Sequence, residues 1–319
     1  MPPTGFDLNW PMIAGELAGC ALVAGTLVFL FILKKRHRED RNERPPQNQK
    51  LLRPAGYAAM CRLDDLADEL MFALAQALSA GFLFGMTAGP CYPVFEALAL
   101  GQFTLPQLWR APKSEVLLAA VCFMLVTLLW CVREIGIAWR LDGEMRNWRF
   151  GLRGEQAVAE ALADRGLAAA GYVAFHDIPG SGKWNIDHVV VGPGGVFVLE
   201  TKARARRKAN RQQKESVVFF DGRILEFPWC EDRDAVEQVQ GNATWVREFL
   251  SAFPPKNIPI QPVIVTPGWW TEARGNYPVK LMNATYLVEY LKGAKRLFAQ
   301  DELEPVIQRL DERCRTVEF

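Results

Sequence analysis

Residues 184–202 read WNIDHVVVGPGGVFVLETK. Two apolar runs flank a Gly-Pro-Gly-Gly turn, as in a pair of buried strands joined by a hairpin. Val191 and Val196 border the turn. If the turn is tight, Val189 faces Val198 and Asp187 faces Glu200. Directly opposed side chains on an antiparallel pair lie about 4.5–5.5 Å apart at Cβ. Period-two alternation also puts Lys202 on the face of Glu200. Two facing carboxylates repel each other unless positive charge lies between them. A hard divalent cation with a lysine close by meets that need, and this is the equipment of a metal-dependent phosphodiesterase site.

The flanking sequence extends the pattern. Residues 151–165, GLRGEQAVAEALADR, predict a helix whose apolar stripe is Val158, Ala159 and Leu162. Glu155 lies on that stripe, at spacings of three, four and seven. An inward carboxylate needs a partner. It either caps the first turn against the positive helix end or faces the acidic pair. GYVAFHDIP (171–179) predicts a strand. SVVFFDGRILEFP (216–228) predicts a second hairpin with Asp221-Gly222 in a type I′ turn. Residues 234–251 predict an amphipathic helix with Val236, Val239, Ala243, Val246 and Leu250 on one stripe. A short strand within 258–268, another at 279–283, and helices at 285–292 and 302–315 complete a mixed α/β domain. His188 falls on the face opposite Asp187 and is expected to be structural. For Trp269 and Trp270, packing is expected ahead of base stacking.

The N-terminal half has another character. A spanning helix needs roughly 20 mostly apolar residues, and segments 12–33, 70–89 and 116–132 qualify. Segment 90–109 is apolar but interrupted by Pro90, Pro93, Pro106 and Glu96, and reads as an external loop or re-entrant piece. Lys and Arg are scarce before the first span and in 90–115, and dense in the loop 34–69 and after Arg133. That alternation predicts the N-terminus outside and the C-terminal domain in the cytoplasm. Lys34–Arg44 is expected to flank the membrane rather than bind nucleic acid. The seven cysteines include no CxxC pair, which argues against a zinc ribbon. A net charge of +1 over 319 residues leaves nucleic-acid affinity to local patches. One such patch, residues 202–214, holds seven Lys/Arg and no acid.

GLRGEQAVAEAL, NIDHVVVGPGGVFVLETKA and, more weakly, DAVEQVQGNATWV resemble the nuclease-related domain family (NERD) of the restriction-endonuclease-like PD-(D/E)XK group. The resemblance covers about residues 151–250. It implies a restriction-endonuclease-like core, a mixed β-sheet flanked by helices, here preceded by an α-helical membrane region. It also implies a catalytic set of Glu155, Asp187, Glu200, Lys202 and Gln238. Asp187, Glu200 and Glu155 would hold Mg²⁺ or Mn²⁺. The family's Asn-Pro ahead of the glutamine helix is replaced by Asp234-Ala235, so Gln240 stands as the alternative to Gln238.

The expected organisation is a membrane region over 1–140, a nuclease-like domain over 144–295 and a C-terminal helix over 296–319. The expected function is a membrane-anchored, cytoplasmic, metal-dependent nuclease acting on DNA or RNA, in a multi-pass protein of a bacterial inner membrane. Arg204, Arg206, Arg207, Lys208, Arg211 and Lys214 are the expected phosphate contacts, of the salt-dependent, sequence-independent kind. The bilayer and a second copy of the chain are the other expected partners. The alternatives are a non-catalytic nucleic-acid-binding module tethered to the membrane, and a membrane assembly or secretion component.

Overall fold

A computed structural model describes residues 50–100, 114–182, 184–205 and 216–318. The first predicted span, 12–33, lies outside them. The chain divides into two compact units, one of Met1–Glu43 and Asp65–Met145, the other of Arg44–Asp64 and Arg146–Phe319. Two helices dominate the first unit and run on into the second: α1 (Tyr57–Ala99) and α2 (Ser114–Leu162). Both are long and apolar enough to cross a membrane, with mean hydropathy reaching 1.6 in an 18-residue window within Tyr57–Ala88 and 2.0 in one within Leu118–Leu162. In α2 the uncharged stretch before Arg133 carries that property. Large apolar side chains such as Phe72, Leu78, Phe82, Leu125, Val126 and Leu129 point outward, while small Ala73, Ala77 and Ala80 are buried. The Cys131 thiol meets the Ala77 carbonyl (3.6 Å). Small residues that let helix backbones approach are what bilayer helix pairs use.

The second unit is built on a five-stranded sheet. Its strands are β2 (Val173–Pro179), β3 (Asn185–Gly192), β4 (Gly195–Thr201), β8 (Ile260–Val265) and β10 (Lys280–Met282). The order is β10-β8-β4-β3-β2, antiparallel from β2 to β4 and parallel from β4 to β10. The β3–β4 hairpin has the predicted register: Val189 pairs with Val198 and Val191 with Val196. The ladder also includes Gly192 with Gly195, which leaves Pro193-Gly194 at the tip.

Each sheet face has its own core. Val189, Val191, Val196 and Val198 pack against α4 (Asp234–Leu250) and α6 (Gln300–Cys314). All four valines are fully buried, worth roughly 1.5–3 kcal/mol each. Val190, Phe197 and Leu199 face the end of α2, α3 (Arg165–Ala169) and α5 (Ala284–Lys292). A second sheet orders β7 (Cys230–Asp232), β6 (Leu225–Phe227), β5 (Val217–Phe220) and β9 (Trp270–Ala273). It shares a core with Val236, Val239, Ile264 and the buried Trp269.

Five elements depart from the sequence expectations. The helix predicted at 151–165 is the end of 49-residue α2, so Glu155 has no helix N-terminus to cap. The turn after β5 is longer than two residues: Asp221 accepts from the amides of Arg223 and Ile224 (both 2.8 Å), and pairing resumes at Leu225. The described part of 34–69 is not a loop, because Lys50–Leu52 forms β1, paired with β11 (Arg315–Glu318), and α1 begins at Tyr57. Leu303, Val306 and Leu310 of α6 lie in the main core, so the C-terminal helix packs within the second unit. In the first unit, α1 continues to Ala99 through a stretch expected to be irregular.

Candidate active site

The site forms where β3 begins and β4 ends, on the α4 side of the sheet. Regular pairing stops at His188 with Leu199, one residue before the two acids. There Asp187 turns a carboxylate oxygen to the backbone amide of Thr201 (2.7 Å). This bond holds Asp187 beside Glu200. Glu200 is only 2 % exposed. One of its oxygens pairs with Lys202 Nζ (2.9 Å), and the other accepts from Asn242 Nδ2 (3.2 Å). Lys202 Nζ also donates to Gln238 Oε1 (2.8 Å), while its backbone amide bonds Val265 O (2.9 Å). Gln238 and Asn242, four residues apart on α4, therefore reach the same cluster from one helix face.

Glu155 arrives from α2. The helix passes so close to the exit of β4 that a Cβ on Gly154 would stand 2.4 Å from Ala203 Cβ. Glycine at 154 permits this approach and sets Glu155 next to the two acids. Burial, reinforced by the charges of Asp177 and Glu200, pushes the Glu155 carboxyl up to about 7. Burial, then the charges of Glu200 and Glu155, raises Asp187 well above the carboxylate range. Glu200 is raised by burial, with Lys202 opposing the shift.

The structure thus brings together Glu155, Asp187, Glu200, Lys202 and Gln238. Gln240 is exposed, and only its carbonyl is engaged, by Thr244. Asn242 escaped the sequence reading. Its signal was a polar residue inside the apolar stripe of α4, flanked by Val239, Ala243 and Val246, and it is 4 % exposed. Arg204 sits at the rim, paired with Asp232 (2.7 Å), its carbonyl accepting from Trp269 Nε1 (3.1 Å). Arg206, Arg207, Lys208, Arg211 and Lys214 lie outside the described residues. Trp269 is core, whereas Trp270 is 68 % exposed. His188 is fully buried on the opposite face, its Nδ1 against that of His176 (2.8 Å). Burial holds both imidazoles below their ordinary value.

The donors suit a hard cation. Three carboxylates with raised proton affinity lie within reach of one another's charge, which is the condition a divalent ion relieves, and all offer the oxygens that Mg²⁺ takes. Among the described residues, no three His, Cys, Asp or Glu side chains are grouped closely enough to hold a metal ion as they stand. In this arrangement the Lys202 ammonium supplies the positive charge to Glu200.

A mixed sheet with helices on both faces, and Asp, Glu-x-Lys and a helix glutamine at one strand end, defines a restriction-endonuclease-like α/β domain. Comparison with family models agrees: residues 150–267 match the nuclease-related domain, NERD. No curated protein and no solved structure matches the chain.

Proposed function

We propose that this chain is a membrane-anchored, metal-dependent nuclease whose second unit lies in the cytoplasm. The observation that carries this is the set of Glu155, Asp187 and Glu200, each acting on another's charge, with Lys202 paired to Glu200, inside the stretch that matches the nuclease-related domain. Asp187 and Glu200, with Glu155, would hold Mg²⁺ or Mn²⁺. Bound there, the ion supplies positive charge to the phosphoryl transition state and acidifies water. The remaining work falls to the chain. The Thr201 amide orients Asp187, and Asn242 fixes Glu200. Gln238 steers the Lys202 ammonium, which stabilises charge on the scissile phosphate and orients the attacking water. Arg204 and the basic residues to Lys214 bind the phosphates on either side. The helices within Tyr57–Ala99 and Ser114–Leu162, with segment 12–33, anchor the protein as a multi-pass chain with its N-terminus outside.

A second function has its own supporting observation. Lys202 and Asn242 occupy both oxygens of Glu200, as in a domain that binds nucleic acid without cutting it. The full-length chain, incubated with labelled DNA or RNA with Mg²⁺ or chelator, separates the two. Products that need Mg²⁺ and vanish in Asp187→Ala and Lys202→Ala establish the nuclease. Salt-sensitive binding without products, indifferent to metal, establishes the binding module.

A further inference from the structure

Chain from far outside the matched family region packs against the α2 turn that bears Glu155. Residues 50–58 belong to the same compact unit as the sheet. Strand β1 pairs with β11, and the Arg53 amide donates to Cys314 O (3.1 Å). The Arg53 guanidinium donates to Asp177 Oδ2 (2.9 Å) and Thr316 Oγ1 (2.6 Å). Asp177 is 3 % exposed and adopts φ 50. Its other oxygen accepts from the Ala58 amide (3.3 Å) and Asn185 Nδ2 (3.4 Å). One buried carboxylate therefore fastens the strap on both sides of Gly56. Gly56, at φ +72, runs against the α2 turn that bears Glu155. A Cβ there would lie 2.2 Å from Leu152 Cδ1 and 3.5 Å from Glu155 Oε2.

We propose that the strap Arg53–Ala58 is a positioning element of the candidate active site: pinned through Asp177, it holds the Glu155 carboxylate toward Asp187 and Glu200. Its effect on cation affinity rests on the nuclease function proposed above, whereas its hold on the Glu155 turn rests on the geometry alone. The segment leading into α1 thereby becomes part of the site. Arg53, Gly56 and Asp177 are positioning residues that contact no reacting group.

The test uses the full chain in detergent micelles, as wild type, Arg53→Ala, Arg53→Lys, Gly56→Ala and, as a control, Arg313→Ala. Arg313 ties α6 to the carbonyls of Pro179 and Gly180 and does not touch the strap. Two readouts are taken: amide hydrogen exchange over 151–162, and Mn²⁺ binding by electron paramagnetic resonance. Arg53→Ala and Gly56→Ala are expected to speed exchange over 151–162 and to weaken Mn²⁺ binding by about tenfold, the range for residues that orient ligands. Arg53→Lys restores part of both losses, and Arg313→Ala leaves Mn²⁺ affinity unchanged. Unchanged exchange in the folded variants overturns the proposal. So does faster exchange with Mn²⁺ affinity intact, because the strap is then a fold element only. A wild type that takes up no Mn²⁺ refutes the nuclease function by itself. Exchange over 151–162 then decides the strap alone, faster exchange supporting it and unchanged exchange overturning it. If Arg53→Ala does not fold, Gly56→Ala and Arg53→Lys carry the same comparison.

Discussion

Replacing Glu155 with Gln should stabilise the metal-free protein at alkaline pH. Glu155 keeps its proton up to about 7 against an ordinary 4.5, through burial first and then the charges of Asp177 and Glu200. The folded protein therefore binds this proton more tightly than the unfolded chain does. The resulting stability is fully present below about 4.5 and is lost as pH rises through about 7. At about 1.4 kcal/mol per pH unit, the loss across that window is roughly 3 kcal/mol. Glutamine keeps the shape and carries no charge at any pH, so it escapes the loss. For a unit of this size, each kcal/mol moves the melting point by about 2–4 °C. Glu155→Gln should then melt roughly 6–12 °C above wild type at pH 8 in chelator, and level with it near pH 4. The assay is thermal unfolding of the full chain in detergent, followed by tryptophan fluorescence at both pH values. Saturating Mg²⁺ should shrink the gain, because the ion favours the ionised carboxylate. A variant that melts no higher than wild type at pH 8, or that gains equally at both pH values, refutes the claim that Glu155 is a charge-stressed member of the cluster.

Other perturbations test the supports of the site. Gly154→Ala places a methyl 2.4 Å from Ala203 Cβ and should cost about 1–3 kcal/mol in denaturant unfolding; Ala203→Gly in the same chain should recover most of it, and no recovery would deny the contact. Asn242→Ala removes the partner of one buried Glu200 oxygen and should lower stability by about 1–3 kcal/mol, measurable by the same unfolding. Lys202→Met should reduce cleavage by about a hundredfold or more while nucleic-acid affinity changes little, since phosphate binding is assigned to the residues that follow it. Neutralising Arg206, Arg207 and Lys208 should leave the Mn²⁺ site intact and flatten the dependence of log affinity on log salt by roughly 0.9 for each phosphate no longer neutralised, read by fluorescence anisotropy.

The β3–β4 hairpin was legible because its two valine runs leave a single register that buries both faces. That register alone put Asp187, Glu200 and Lys202 together. The apolar stripe of α4 was equally plain, and its polar interruption at Asn242 is the feature that marks a site-facing residue. What stayed hidden depends on contacts between distant parts of the chain. The strap is held by Arg53 and Asp177, which are 124 positions apart, and no periodicity encodes such a pair. The continuity of α2 was obscured by Gly151 and Gly154, which weaken helix propensity locally; Gly154 sits where the backbone must pass close to the exit of β4. The separation of β5–β7 and β9 into a second sheet was also out of reach. Short strands announce themselves locally, but their neighbours are chosen by the shared core of Phe220, Trp269 and Val236.

The measurement that bears most directly on the central claim is anomalous diffraction from crystals of the full chain grown with Mn²⁺. One manganese peak is expected between the carboxylates of Asp187 and Glu200, with Glu155 turned toward it and Lys202 moved from its 2.9 Å contact with Glu200. Crystals that show the Lys202–Glu200 pair intact, with no manganese beside Asp187 at saturating Mn²⁺, would contradict it.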